Sequence, residues 1–98
     1  MAIHSTKSSK AASFLKVIAN PTRIEIITLL APKKKLSVNQ LCAKLNIEQS
    51  LVSHHLKNMR TSGVLEATRD GINIYYSIAA PNVLEILKLV NASIGIKK

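Results

Sequence analysis

Five side chains between residues 49 and 57 carry the chemistry most easily named: Gln49, Ser50, Ser53, His54 and Lys57. Ser50, Ser53, His54 and Lys57 recur at i, i+3, i+4 and i+7, the spacing that gathers residues onto one face of an α-helix. Val52, Leu56 and Met59 repeat with the same period on another face, so a single helix would present one apolar stripe and one polar stripe. The polar stripe holds hydrogen-bond donors, acceptors and a cation, and no carboxylate. Gln49 or His54 can bond purine edges, while Lys57 balances a phosphate charge, so the composition suits the major groove of DNA. The competing reading is an ordinary solvated helix face, which uses the same residue types without a ligand.

Charge favours the first reading. Fourteen Lys and Arg stand against five Asp and Glu, a formal net charge of +9, and such an excess attracts DNA, RNA or an acidic membrane surface. A membrane is disfavoured, because no apolar run approaches the ~18 to 20 residues of a spanning helix. Nor does a long Lys/Arg row lie beside aromatics, which are limited to Phe14, Tyr75 and Tyr76. The first residues lack the apolar segment of a secretory signal, and the lone Cys42 excludes an internal disulfide framework, so a cytoplasmic protein is expected. Five acids and three histidines assemble no carboxylate pair, no Ser-His-Asp set and no metal-ligand cluster. No glycine-rich phosphate loop is present either, so no enzymatic activity, cofactor or metal is expected. Cys42 is read as a buried, inert thiol, since a redox role requires a lowered pKa and a second sulfur. His4, in the polar start of the chain, is read as uninvolved.

The elements that must hold the Gln49–Lys57 face follow from periodicity and punctuation. Residues 1–9 are expected to form a loose tail, and residues 10–98 a single small domain with an aliphatic core. The first helix covers residues 10–19, with Phe14, Leu15, Val17 and Ile18 apolar. Asn20-Pro21 supplies an N-cap and a first-turn proline for the second helix. In that helix Ile24, Ile27 and Leu30 face one side, with Ile26 and Leu29 widening the stripe, until Pro32 stops it. Lys33-Lys34-Lys35 then forms a basic loop, either solvated or touching DNA backbone. Ser37-Val38-Asn39-Gln40 matches a capping box and opens a third helix with Val38, Leu41 and Leu45 inward. Asn46, in a left-handed cap, leaves only Ile47 and Glu48 before the fourth helix, a helix-turn-helix spacing.

Within that fourth helix His55 borders the apolar stripe, where it either bonds locally and fixes the helix pair or touches DNA. Gly63 closes the helix. The period then becomes two-fold: Val64 to Arg69 and Ile72 to Ile78 flank Asp70-Gly71, a two-residue hairpin turn. Ile74, Tyr76 and Ile78 point one way and Asn73, Tyr75 and Ser77 the other. Arg69, near the tip, is a candidate for phosphate or minor-groove contact. Tyr75 either bonds a phosphate or packs on the hairpin. Pro81 begins a last helix in which Val83, Leu84, Ile86, Leu87, Val90 and Ile94 spread over more than one face. The predicted fold is mainly α with a small β-hairpin: a winged helix-turn-helix of five helices plus a two-stranded wing.

At this point the chain resembles the ArsR/SmtB family of small dimeric bacterial repressors. Ile18-Ala19-Asn20-Pro21-Thr22-Arg23-Ile24-Glu25-Ile26-Ile27 is similar to the family's "LADPTRLRIL" opening. Leu36-Ser37-Val38-Asn39-Gln40-Leu41 falls where its third helix begins, and Gln49-Ser50-Leu51-Val52-Ser53-His54-His55-Leu56 resembles its "QSTVSRHL" recognition helix. Gly63-Val64-Leu65, then Asp70-Gly71 followed by Tyr75-Tyr76, resemble its "GLV" and its wing ending in "YY". Together these pieces span roughly residues 18–78 in the family's order.

The resemblance implies a homodimer joined through the first and last helices, with Phe14, Leu15, Ile18, Leu84, Leu87 and Ile94 as its apolar seam. It also implies that the fourth helix enters a major groove of double-stranded DNA and that the hairpin lies against the flanking backbone. Two-fold related half-sites would then lie about 10 bp apart or a multiple of that. An effector would weaken binding by favouring a dimer shape that no longer matches the spacing.

Departures from the family pattern narrow the effector. Ser37 and Asn39 occupy the Cys-x-Cys positions of soft-metal sensors, and neither supplies a thiolate. Residues 81–94 hold no histidine and only Glu85 as an acid, where zinc and cobalt sensors carry Asp and His ligands. A disulfide or persulfide sensor would need two cysteines. Glu48 replaces the usual Ser N-cap, and Ile72 and Asn73 replace basic wing residues. The function expected is a sequence-specific DNA-binding transcriptional regulator, a dimeric repressor released by a small effector of unidentified chemistry. The alternative is a winged-helix protein-interaction module without DNA activity, which would expose an apolar patch in place of the polar face.

Overall fold

Five helices and three short strands make up the computed structural model, which describes residues 6–96. In chain order they are α1 (Thr6–Ile18), α2 (Pro21–Leu30), β1 (Leu36–Ser37), α3 (Val38–Leu45), α4 (Gln49–Thr61), β2 (Leu65–Asp70), β3 (Asn73–Ile78) and α5 (Asn82–Ser93). None of these helices is long and apolar enough to cross a membrane. His4 and the rest of residues 1–5 lie outside the described residues.

Local chemistry sets most boundaries. The Asn20 side chain accepts the Arg23 amide at 3.1 Å, and Pro21 fills the first turn of α2. Ser37 and Gln40 form the reciprocal capping box, with bonds of 2.9 and 3.2 Å, and start α3. Asn46 ends α3 at φ 57, ψ 47, the left-handed conformation that an asparagine tolerates better than most residues. α4 closes with Gly63 at φ +83, where the Val64 amide reaches Met59 O at 2.9 Å and the Gly63 amide reaches Arg60 O at 3.1 Å. That is the Schellman arrangement, and only glycine enters it without strain.

Three expectations are corrected. The helix begins at Thr6 rather than residue 10, so Thr6–Ser9 belong to α1 and not to a loose tail. No Gly or Pro interrupts this stretch, and once Phe14, Val17 and Ile18 pack, each added residue gains one helical bond at little cost. The wing is part of a three-stranded antiparallel sheet in the order β1-β3-β2, because Leu36 and Ser37 pair with Tyr76 and Tyr75. Two residues are too few to show a two-fold period, so sequence could not signal this strand. Last, Asp70 pairs with Asn73, which makes Gly71-Ile72 the two-residue loop instead of Asp70-Gly71. Gly71 has φ +67 and Ile72 does not enter positive φ, as a turn with glycine first requires.

The core sits where α2, α3, α4 and the sheet meet. Ile26, Ile27 and Leu30 of α2, Leu41 of α3, and Val52, Leu56 and Met59 of α4 are fully buried with Val64, Leu65 and Val83. Burying each such side chain contributes about 1.5–3 kcal/mol relative to exposure. Ile24, expected inward, is exposed. α2 carries apolar residues almost all around, so its period leaves the inward side to its neighbours. Ile18 is only 3% exposed and belongs to this core, so it is corrected from the dimer seam to the protomer interior.

Candidate nucleic-acid interface

α4 is anchored by one face and presents the other. Val52, His55, Leu56 and Met59 are buried, while Gln49, Ser50, His54 and Lys57 are exposed and Ser53 is half-buried. The helix therefore gathers all five candidate residues on its solvent side. Arg60 shares this face, seven residues beyond Ser53 and eleven beyond Gln49, and it is exposed. The sequence reading stopped at Lys57 and missed it, although continuing the same i+7 count finds it. Leu51, also exposed, flanks the polar face as an apolar edge.

Local bonds orient part of this surface. Glu48 occupies the N-cap of α4 without a side-chain cap bond, and its Oε1 instead accepts the Ser50 hydroxyl at 3.1 Å. The one acid at this end of the helix is thereby drawn onto a neighbouring side chain. His54 Nε2 lies 3.2 Å from Asn58 Nδ2, one turn later, which steers the exposed imidazole along the helix.

His55 resolves to the local alternative. It is 7% exposed, and its Nδ1 accepts Arg23 Nε at 2.9 Å. The same guanidinium donates from Nη1 to Val17 O at 3.1 Å, so Arg23 joins the end of α1, the start of α2 and the middle of α4. The Asn20-Pro21 cap places Arg23 in the first turn of α2, from which it reaches both partners. Burial pushes the His55 pKa below its ordinary value, and the charges of Arg23 and His54 push it the same way. A neutral imidazole with a free Nδ1 lone pair is what the Arg23 bond requires.

The wing does not bring its two candidates together. Directly opposed residues of an antiparallel pair share a face. Arg69 opposes Ile74, on the side where Leu65, Tyr76 and Ile78 meet the core. Tyr75 opposes Thr68 and Ser37 on the other side, half-buried between them. Arg69 is exposed beside the tip, where Ile72 is 94% exposed. Arg69 and Tyr75 thus lie on opposite faces of the hairpin.

The apolar residues of α5 divide along the helix. Val83, Leu87, Val90 and Ile94 follow one stripe at i, i+4, i+7 and i+11. Val83 is buried and Leu87 packs against the core with Leu84, but Val90 is exposed and Ile94 is 65% exposed. On α1, Phe14 is half-buried against the core and Leu15 is 52% exposed. A groove of about 790 Å³ runs between α2 and α5, lined in part by Leu84, Leu87 and Ile96.

Comparison with known proteins places these features. The family model described as bacterial regulatory protein, arsR family, matches residues 20–67. The transcriptional repressor PagR of Bacillus anthracis is 45% identical over 80 residues, covering 82% of this chain and 80% of PagR. Among solved structures, NolR from Sinorhizobium fredii superposes with a TM-score of 0.84 at 32% identity, covering 99% of this chain and 100% of that one. A possible ArsR-family regulator from Mycobacterium bovis, described as a homodimeric winged helix-turn-helix DNA-binding domain, matches with a TM-score of 0.77 at 28% identity, over 95% and 89% of the two chains.

Proposed function

Because the chain belongs to the ArsR family of bacterial regulatory proteins, and is a DNA-binding transcriptional regulator rather than an enzyme, we propose that it acts as a homodimeric repressor. In this reading α4 lies in the major groove, and Gln49, Ser50, Ser53 and His54 meet base edges. Lys57 and Arg60 meet phosphate, and Arg69 holds the flanking backbone from the wing. The observation that carries the reading is the division of α4: its apolar side is locked into the core, while its polar, acid-free side is left to solvent. Among the exposed large apolar residues Leu51 alone lies on α4, whereas Leu89 and Val90 lie on α5 with Ile94 and Ile96 just beyond it, which favours self-association there over a protein-interaction surface at α4.

The α5 stripe supports the dimer. It continues as Val90 and Ile94 after the protomer core has ended, so half of an apolar ridge faces water unless a second copy covers it. Leu15 and Ile94, with Phe14, Leu84 and Leu87 behind them, form the seam, and Ile18 supports it from within. The two α4 helices would then address half-sites about 34–36 Å apart on one side of the duplex. No metal is assigned to effector sensing: Ser37 and Asn39 hold the positions on and before α3 where soft-metal sensors place thiolates.

Selection of bound duplexes from a random pool, followed by affinity measurement at several salt concentrations, tests this reading. A palindromic consensus with two half-sites is expected, and Ser53→Ala with His54→Ala should erase the preference while the dimer stays folded. Enrichment of no sequence, or an unaltered preference in the double variant, removes α4 as the reading element.

A further inference from the structure

We propose that the cleft between the end of α1, the start of α2 and the last turn of α4 binds a small oxyanion, and that this site is where the repressor's effector acts. The second half rests on the DNA-binding reading above, and the first does not. The cleft has a volume of about 310 Å³ and is lined by Ser13, Lys16, Val17, Arg23, Asn58 and Ser62. Two cations, the Ser13 hydroxyl and the Asn58 carboxamide thus line it with no carboxylate among them, while the Ser62 hydroxyl is spent on Asn58 O. That volume lies at the small end of the roughly 300–1,000 Å³ typical of ligand pockets, which fits a phosphate or a short carboxylate better than a nucleotide.

The cleft lies by the C-terminal ends of α1 and α4, whose dipoles oppose an anion, so Lys16 and Arg23 must outweigh them; several carbonyls there are already hydrogen-bonded. Val17 O accepts Arg23 Nη1 at 3.1 Å, and Lys16 O accepts the Ala19 amide at 3.3 Å. Asn58 O accepts the Ser62 hydroxyl at 2.9 Å and the Ser62 amide at 3.1 Å. Arg23 commits two of its five N–H donors, to Val17 O and His55, and the remainder are uncommitted among the described residues. A planar guanidinium with spare donors, next to a flexible ammonium, is the arrangement that grips a carboxylate or phosphate.

Two residues that line the cleft each touch a histidine of α4. Arg23 bonds His55 in the core, and Asn58 bonds His54 on the exposed face. The two imidazoles meet edge to face with centroids 5.7 Å apart. An anion that draws on the Asn58 amide pulls on the same nitrogen that lies against His54 Nε2, and so shifts the imidazole. It also lowers the positive charge beside the half of α4 that carries Lys57 and Arg60. Both effects weaken DNA binding, and by linkage DNA weakens the anion by the same factor.

The test titrates full-length protein with sodium phosphate, and separately with sodium succinate, against chloride at constant ionic strength. NMR reads the Arg23 Nε–H and the Asn58 side-chain amide. Saturable shifts of both are expected with one of the two anions. Phosphate alone saturating assigns a tetrahedral oxyanion, and succinate alone a carboxylate. Lys16→Ala, at an exposed position that leaves the fold intact, should weaken binding at least tenfold. Lys33→Ala, which removes the same charge from a distant loop, should leave it unchanged.

Absence of saturation with either anion overturns the site, as does equal weakening by Lys16→Ala and Lys33→Ala, which would indicate diffuse charge attraction. Operator affinity is then measured with and without saturating anion. A several-fold loss supports the effector role, and unchanged affinity overturns that role while leaving the site. Failure of the DNA-binding reading shows separately, as no operator binding in chloride alone.

Discussion

Replacing Lys57 by Ala isolates the electrostatic part of α4's grip. Lys57 projects from the exposed face one turn beyond Ser53 and forms no ion pair among the described residues. Its removal therefore disturbs neither the core nor a salt bridge. A dimer carries two copies, and if each neutralises one phosphate, losing both makes the slope of log affinity against log salt shallower by about 1.8. At 0.1 M salt, one decade below 1 M, that corresponds to binding about 60-fold weaker, with the difference closing as salt rises toward 1 M. Adding Arg60→Ala should roughly double the change in slope if Arg60 acts on the same strand of phosphates. Fluorescence anisotropy of a labelled operator, titrated at several KCl concentrations, measures both quantities. A Lys57→Ala protein with the parental slope refutes phosphate neutralisation, even if its affinity is lower. Parental slope and affinity together place the exposed face of α4 away from DNA.

The other expectations concern stability and assembly. Ile94→Asp, at a largely exposed position, should yield a folded monomer by sedimentation with loss of tight operator binding, and a dimer surviving the change rejects the α5 seam. Leu56→Ala removes a fully buried side chain under the recognition face and should cost about 2–5 kcal/mol in urea unfolding. Because the His55 pKa lies below its ordinary 6.5 in the folded protein, the unfolded chain takes up that proton first. This contribution to stability is complete above about pH 6.5 and is lost as pH falls toward the folded pKa. His55→Gln should flatten that part of the profile relative to the parent, and an equally steep profile contradicts the assignment. Asn46→Ala, forced to keep φ 57, should destabilise by about 1–2 kcal/mol, whereas Asn46→Gly should be tolerated.

Most of the helical framework was legible because its signals are local. The Asn20-Pro21 cap, the Ser37/Gln40 box, the left-handed Asn46 and the Gly63 closure each depend on residues within one or two turns of each other. So did the orientation of α4, whose two stripes separate cleanly by period. The candidates Gln49, Ser50, Ser53, His54 and Lys57 are accordingly held on one side of the helix. Where apolar residues are spread around a helix, as in α2, period selects no side, and Ile24 was expected inward for that reason. β1 escaped notice because a strand of two residues exists only through its pairing with β3. The hairpin loop slipped by one residue because Asp70 and Gly71 suit a turn equally well when strand register is unknown.

Residue order alone thus decided the number of helices, their caps and the chemistry offered by α4, since each follows from bonds between near neighbours along the chain. The long-range meeting of parts was settled by folding. Arg23 and His55 stand 32 positions apart, and nothing in either neighbourhood announces their bond. Ile18 and Ile94 look alike as isoleucines on amphipathic helices, yet one is sealed in the core and the other remains largely in water. Which of them faces a second subunit depends on where the core ends, and that edge exists only after all five helices have packed.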